Sequence, residues 1–147
     1  MDALLENQKI LTKSGDHVSI AEALGQKKVV GLYFSGHYCP PCRKFTPLLA
    51  QVYEEIKEEH DDFEIIFVSS DKEIEKYDEY YKEMPWLALP WAESRDLKAA
   101  LCEKFGIKFI PTLIFFNENG EVVEREGRTF IEKNAHDIDA VLSALRQ

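Results

Sequence analysis

Val29-Val30-Gly31-Leu32-Tyr33-Phe34-Ser35 runs directly into Gly36-His37-Tyr38-Cys39-Pro40-Pro41-Cys42, and this junction decides the fold. The first seven residues, mostly β-branched or aromatic, read as a strand buried on both faces of a sheet. From Pro40 to about Glu59 the period becomes helical, with Phe45, Leu48, Leu49, Val52, Tyr53 and Ile56 on one stripe. A cysteine pair therefore sits where a buried strand hands over to a helix. Chemistry in open α/β sheets collects at such strand ends.

Outward from the junction the pattern stays simple. Ile10 to Lys13 and His17 to Ile20 flank Ser14-Gly15-Asp16 and read as an N-terminal β-hairpin. Phe63–Ser69 reads as a second core strand, followed by a charged, Tyr-rich helix over about Lys72 to Glu83. Met84-Pro85-Trp86-Leu87-Ala88-Leu89-Pro90 interrupts, and Asp96 to Phe105 is helical with Leu97, Leu101 and Phe105 at i, i+4, i+8. Thr112–Phe116 is a third strong strand, turned by Asn119-Gly120 into Glu121-Val122-Val123, and a last helix spans Ala135 to Leu145. Alternating strands and helices with right-handed crossovers predict an α/β architecture: a central mixed, mostly parallel sheet flanked by helices. No repeat or linker divides the chain, so residues 1–147 are expected to form a single domain. Trp86 and Trp91 are expected in the core or a groove rather than as ligand platforms.

The bulk composition excludes several classes. Forty-five per cent hydrophobic residues suffice for a core, and the net charge of −9 sets up a field that repels phosphate, so neither a nucleic-acid nor an anionic-membrane partner is expected. Met1–Asn7 has no basic and apolar leader pattern, and no apolar run approaches membrane-spanning length. Three cysteines are too few and odd for a disulfide-stapled secreted fold, so a cytoplasmic, and equally a nuclear, location is expected.

The chemistry rests on Cys39 and Cys42. At a helix N-terminus, unsatisfied N–H groups and the macrodipole favour a thiolate at Cys39, making it the attacking sulfur. Cys42, at i+3 on the same face and less exposed, is placed to resolve the mixed disulfide. Pro40 and Pro41 fit the first helical turn, where a missing N–H costs nothing, and they stiffen the loop. A structural zinc needs four ligands, and this chain offers one pair, His37 and a distant Cys102, so no metal is expected. Arg43 stands where haem attachment would require His. Cys102, beside an apolar stripe, reads as an inert, partly buried thiol.

These residues resemble the thioredoxin superfamily, and within it the nucleoredoxin–tryparedoxin branch. The resemblance rests on Tyr33-Phe34-Ser35 leading to Cys39-Pro40-Pro41-Cys42-Arg43, on Phe45-Thr46-Pro47, on Met84 through Pro90, and on Gly106-Ile107 through Ile110-Pro111-Thr112-Leu113. It implies a thioredoxin fold, a Pro47 that bends the active-site helix, and a cis Pro111 facing the sulfurs. Ile110 would present backbone to an extended substrate, and Tyr38 would contact it where the family usually has Trp. Tyr33 occupies the place of the usual buried Asp, so proton handling at Cys42 must use another group or water. Asp71 and Arg128 align with polar residues of the active face, although by themselves they read as solvated charges. Lys72 stands at an acidic family position.

The activity so implied is protein-disulfide reduction, with electrons from an upstream dithiol or reductase passing to oxidised protein clients. The redox-active Cys39–Cys42 disulfide serves in place of any cofactor, and a monomer is expected. Two alternatives accompany it: a redox-gated binding module of nucleoredoxin-like type, and a tryparedoxin-type donor to peroxidases.

Overall fold

The computed structural model describes residues 7–146; Met1–Glu6, the segment read for its lack of a leader, lies outside the described residues. Lys9–Leu11 (β1) and His17–Ser19 (β2) pair antiparallel around Gly15, whose φ of +92° is the left-handed conformation that glycine tolerates. Ser19 ends the strand and caps Ile20–Leu24 (α1), its hydroxyl accepting from the Glu22 N–H at 3.1 Å. The second hairpin arm is thus a residue shorter than expected, and α1 is too short to show a period. Val29–Ser35 (β3), Pro40–Glu59 (α2) and Phe63–Ser69 (β4) fall where the hydrophobic pattern puts them. The chain continues through Ile74–Tyr81 (α3), Leu87–Ala88 (β5), Trp91–Phe105 (α4), Thr112–Asn117 (β6), Val122–Glu124 (β7), Gly127–Asn134 (α5) and Ile138–Leu145 (α6).

The strands form one sheet in the order β2-β1-β5-β4-β3-β6-β7. Parallel pairing, expected across most of the sheet, is confined to its centre: β5 with β4 and β4 with β3. The flanking ladders, including β3 with β6, are antiparallel; hairpins join β1 to β2 and β6 to β7, whereas β1 meets β5 and β6 meets β3 from distant parts of the chain. Alternate side chains of β3 feed two cores. Val29 and Tyr33 face α2, α3, α5 and α6, while Val30, Leu32 and Phe34 face α1 and α4. Trp86 is fully buried in the first core, edge-on to Tyr33 and Tyr53 at 5.8 and 5.7 Å, as large-aromatic burial leads one to expect.

The departures have local causes. Helix α3 starts two residues later than expected, at Ile74. Helix α4 begins at Trp91 rather than Asp96: its first turn faces inward through Ser94, fully buried and donating to the Leu89 carbonyl at 3.0 Å. A buried polar residue satisfied by backbone leaves no apolar stripe to read. The helix expected over Ala135–Leu145 is α6, which starts three residues later because Asp137 accepts from the Ala140 N–H at 3.1 Å and caps it, and α5 before it was not expected. The intervening α5 docks on β6 through Gly127.

That contact leaves no room for a side chain. A Cβ at Gly127 would lie 2.4 Å from the Leu113 carbonyl oxygen and 2.8 Å from Leu113 Cγ. Gly127→Ala is expected to destabilise the fold by about 1–3 kcal/mol, read as a lower denaturant midpoint at unchanged slope.

Candidate active site

Ser35 ends β3, and Gly36–Tyr38 carry the chain to Cys39, the N-cap of α2. Cys39 has extended backbone (φ −102°, ψ 109°), and its Sγ accepts from the Cys42 N–H at 3.3 Å. The sulfur thus does for the first turn what a Ser or Asp oxygen does elsewhere, and extra negative charge on it strengthens that bond. Pro40 and Pro41 occupy the first two helical positions, and α2 continues through Pro47 to Glu59. Cys39 is 9 % exposed and Cys42 wholly buried; both are free thiols. Burial, a hydrogen bond with Cys39 and the negative potential of Cys39 push the Cys42 thiol up to about 12, against smaller opposing effects of the Ser35 hydroxyl and the Gly36 N–H.

The Ile110–Pro111 peptide is cis, and the Ile110 carbonyl lies 3.9 Å from Cys39 Sγ, within reach of the thiol proton. The Tyr38 ring and the Ile110 side chain both pack over Gly36, where an added Cβ would meet Tyr38 at 2.7 Å. Tyr38 is 64 % exposed and Phe109 is 70 % exposed, so two large rings stand in solvent, one beside Cys39 and one beside Ile110. Asp71 is buried and not, as its isolated reading has it, a solvated charge: it accepts from the His37 N–H at 2.8 Å and the Ser69 hydroxyl at 3.1 Å. It thereby ties the turn before Cys39 to the end of β4. Half-buried Arg128 lies 3.6 Å from Glu132 and shares a cavity of about 310 Å³ with Pro111. Among the expected site residues, Tyr38, Cys39, Cys42, Ile110 and Pro111 converge, Asp71 acts through His37, and Arg128 approaches only by way of that cavity.

The thioredoxin-like family matches over residues 26–122. The chain belongs to it. Within the thioredoxin-like family, a probable nucleoredoxin 1 from Arabidopsis thaliana is 45 % identical over 89 % of this chain, and the nucleoredoxin of Homo sapiens is 48 % identical over 67 %. This chain spans only 22 % of the length of either relative. The tryparedoxin of Trypanosoma brucei brucei is matched over 81 % of its length, at 42 % identity over 82 % of this chain. Among solved structures, tryparedoxin I of Leishmania major superposes with a TM-score of 0.80 at 36 % identity, covering 89 % of this chain and 88 % of that one. The fold is the thioredoxin fold with an N-terminal hairpin.

Against the thioredoxin-like pattern, Tyr33 has a specific surrounding. Its hydroxyl lies 2.8 Å from Thr46 Oγ1 and 3.4 Å from the Cys42 carbonyl, and burial raises its pKa, so it stays a phenol rather than a base. Ser35, Thr46 and Tyr80 complete a buried hydroxyl cluster that sequence reading misses. Ser35 and Tyr33 alternate onto one strand face and Thr46 stands four residues after Cys42, so those two were readable; Tyr80 arrives from α3 by tertiary packing alone. Phe109 was likewise missed, since an exposed ring leaves no periodic trace.

On the other side of Cys39 a cavity of about 540 Å³ is lined by His37, Tyr38, Asp71 and Glu73 together with Arg43, Lys72 and Lys76. With the Asp71 carboxylate turned inward, its exposed charge is mainly positive, in a chain of net charge −9. Cys102 is partly buried against the second core, and burial raises its pKa. The described residues hold one grouping of metal-type ligands, Glu59, His60 and Asp139. There the His60 Nδ1 faces the Arg146 guanidinium at 3.3 Å, a poor setting for a cation. No helix among the described residues is long and apolar enough to cross a membrane.

The two thiols should react in a fixed order. A thiol at about 12 leaves a thiolate fraction on the order of 10⁻⁵ at pH 7. Limiting iodoacetamide on the reduced protein is therefore expected to carboxamidomethylate Cys39 well ahead of Cys42. The labelling of Cys42 should rise with pH through the alkaline range, because its pKa is raised. Peptide mapping by mass spectrometry reads both.

Proposed function

We propose that the chain is a thiol–disulfide oxidoreductase that reduces protein disulfides through Cys39 and Cys42. The observation that carries this reading is the capping role of Cys39 Sγ: it accepts the Cys42 N–H at the head of α2 while Cys42 stays buried one turn inside. The Cys39 thiolate attacks a client disulfide, forming a Cys39–client mixed disulfide and releasing one client sulfur as thiolate. Cys42 then attacks Cys39 Sγ, the mixed bond breaks, and the second client sulfur departs. Two electrons and two protons pass from the dithiol to the client, leaving a Cys39–Cys42 disulfide. No metal or bound organic cofactor is needed, because the two sulfurs hold the electrons. An upstream dithiol or reductase restores them, which suits a reducing compartment such as cytoplasm or nucleus.

The exposed rings of Tyr38 and Phe109 and the backbone at Ile110 favour an extended polypeptide as client. Such a segment would lay apolar side chains on the rings and offer hydrogen bonds to the strand. The intact pair speaks against a binding module with little turnover. The donor is a different question. A solved tryparedoxin II holds glutathionylspermidine, a thiol carrying a polyamine cation. Here Arg43, Lys72 and Lys76 outnumber the one exposed anion, Glu73, in the cavity beside Tyr38, a setting that disfavours a polycation.

The pure protein is expected to reduce insulin disulfides with a dithiol donor. Cys39→Ser should abolish turnover and Cys42→Ser should accumulate mixed disulfides on non-reducing gels. Full turnover in Cys39→Ser would defeat the mechanism, and clients held equally by the Cys39→Ser/Cys42→Ser double variant would favour a binding module. For the donor, oxidised protein is expected to be reduced faster by glutathione than by glutathionylspermidine. Lys72→Glu/Lys76→Glu should narrow that difference, and a preference for the polyamine thiol in the unsubstituted protein would overturn the charge argument.

A further inference from the structure

The buried hydroxyls beneath the cysteine pair obey a strict count. Thr46 Oγ1 lies 2.9 Å from the Cys42 carbonyl, 2.8 Å from Tyr33 Oη and 2.7 Å from Tyr80 Oη; Tyr80 Oη lies 2.6 Å from Ser35 Oγ. The Ser35 hydroxyl also favours the Cys42 thiolate over the thiol. Each hydroxyl has one proton to donate, and a carbonyl can only accept. If Thr46 donates to the Cys42 carbonyl, both tyrosines must donate to Thr46. Ser35 must then donate to Tyr80, which leaves Ser35 Oγ free to accept the proton of the Cys42 thiol. The order runs from sulfur to carbonyl, with every hydroxyl satisfied.

The same oxygens support the reverse order with no heavy atom moved. Tyr33 keeps donating to Thr46 at 2.8 Å, Thr46 turns from the Cys42 carbonyl to donate to Tyr80, Tyr80 donates to Ser35, and Ser35 to the sulfur. We propose that Ser35, Tyr80 and Thr46 form a reversible hydroxyl chain that turns its protons toward Cys42 Sγ when that sulfur becomes the attacking thiolate, the task left open where Tyr33 replaces a buried carboxylate. This deepens the dithiol mechanism proposed above and rests on it. Ser35 is the hydroxyl assigned to the reacting sulfur; Tyr80 and Thr46 act through Ser35 and are positioning residues. Linked hydroxyls polarise one another, so the distal members strengthen the bond that Ser35 gives.

The chain is a stabiliser and not a proton wire. It ends on a carbonyl, which cannot carry a proton away, and burial keeps both phenols protonated. In the resolving step the Cys42–Cys39 S–S bond forms, the bond from Cys39 to the client sulfur breaks, and the Cys42 proton ends on the departing thiolate or in solvent. Three elements supply the chain: Ser35 from β3, Thr46 from α2 and Tyr80 from α3. The other titratable groups nearby are Cys39 on the same helix, Tyr33 on β3, and Tyr38, His37 and Asp71. His37 packs edge-on to Tyr80 at 5.9 Å and lies 4.0 Å from Glu79, whereas the Asp71 carboxylate is engaged by the His37 N–H and Ser69. All of these remain in place in the variants below, so a difference from the unsubstituted protein isolates the hydroxyls.

A stopped-flow reaction of the reduced chain with dithiobis(nitrobenzoate) tests the proposal, carried out in a Cys102→Ser background so that Cys39 and Cys42 are the two reacting thiols. Attack by Cys39 releases one nitrothiophenolate in a phase that depends on reagent concentration, and attack by Cys42 releases a second in a phase that does not. Tyr80→Phe and Thr46→Val are expected to slow the second phase about tenfold near neutral pH and raise its pH midpoint by about one unit. Thr46→Ser should restore both values. The first phase should keep its rate in all three, which also reports that the fold around Cys39 is intact. A second phase unchanged in rate and midpoint in Tyr80→Phe and Thr46→Val would overturn the proposal. So would Thr46→Ser as slow as Thr46→Val, since packing and not the hydroxyl would then be the cause. Release of a single equivalent by the otherwise unsubstituted protein would instead defeat the dithiol mechanism itself.

Discussion

Strand β3 is hydrogen-bonded along both edges, parallel to β4 and antiparallel to β6, and every one of its residues is buried. Its position fixes where Ser35 ends, and therefore where the turn through Gly36 must deliver Cys39. Burial on both faces removes any freedom for the strand to slip, because a shift of one residue would exchange the two cores. Helix α2 is held against one of those cores by Phe45, Leu49, Val52, Tyr53 and Ile56. The head of the helix, and the sulfur that caps it, is thereby placed by a large apolar interface rather than by the loop itself.

The same constraint explains why the site is assembled from distant segments. Strand β6 pairs with β3 from Val29 opposite Asn117 to Phe34 opposite Thr112, so the residue before Thr112 must arrive beside the end of β3. Pro111 and the Ile110 carbonyl reach Cys39 as a consequence of strand register. Asp71 reaches the turn in an equivalent way, because β4 ends level with β3, Ser69 opposite Ser35. The carboxylate then binds the His37 N–H and holds the approach to Cys39 in shape. A reactive sulfur with few contacts of its own is positioned by three strand ends.

The chemistry divides between the two sulfurs by environment. Cys39 meets the surface between Tyr38 and the Ile110 backbone, whereas Cys42 lies wholly inside, over a floor of hydroxyls instead of a charged group. A buried carboxylate at the place of Tyr33 would bring its own desolvation cost. Neutral hydroxyls avoid that cost, and each is satisfied by another hydroxyl or by the Cys42 carbonyl. On the solvent-facing rim Tyr38 borders the cavity that carries Arg43, Lys72 and Lys76, while Phe109 stands exposed on the Ile110 side.

Much of this was legible in the residues. Strands β3 and β4 and the limits of α2 follow from apolar runs and helical spacing, and the roles suggested for Cys39 and Cys42 follow from their place at a strand-to-helix junction. Hydrophobic period is a local property, so it is written in consecutive residues. The two-residue β5, helices α1 and α5 and the early start of α4 were not legible, since short elements and satisfied polar residues such as Ser94 leave no period. Asp71 looks like a surface charge in the sequence and becomes buried only when β4 and the Cys39 turn meet. Tyr80 belongs to a charged helix and joins Thr46 and Ser35 only when α3 packs on the sheet. By itself the sequence determined the fold class and singled out the cysteine pair at the strand-to-helix junction, because both depend on spacing along the chain; tertiary structure alone decided what surrounds the buried sulfur, because those contacts join residues up to 45 positions apart.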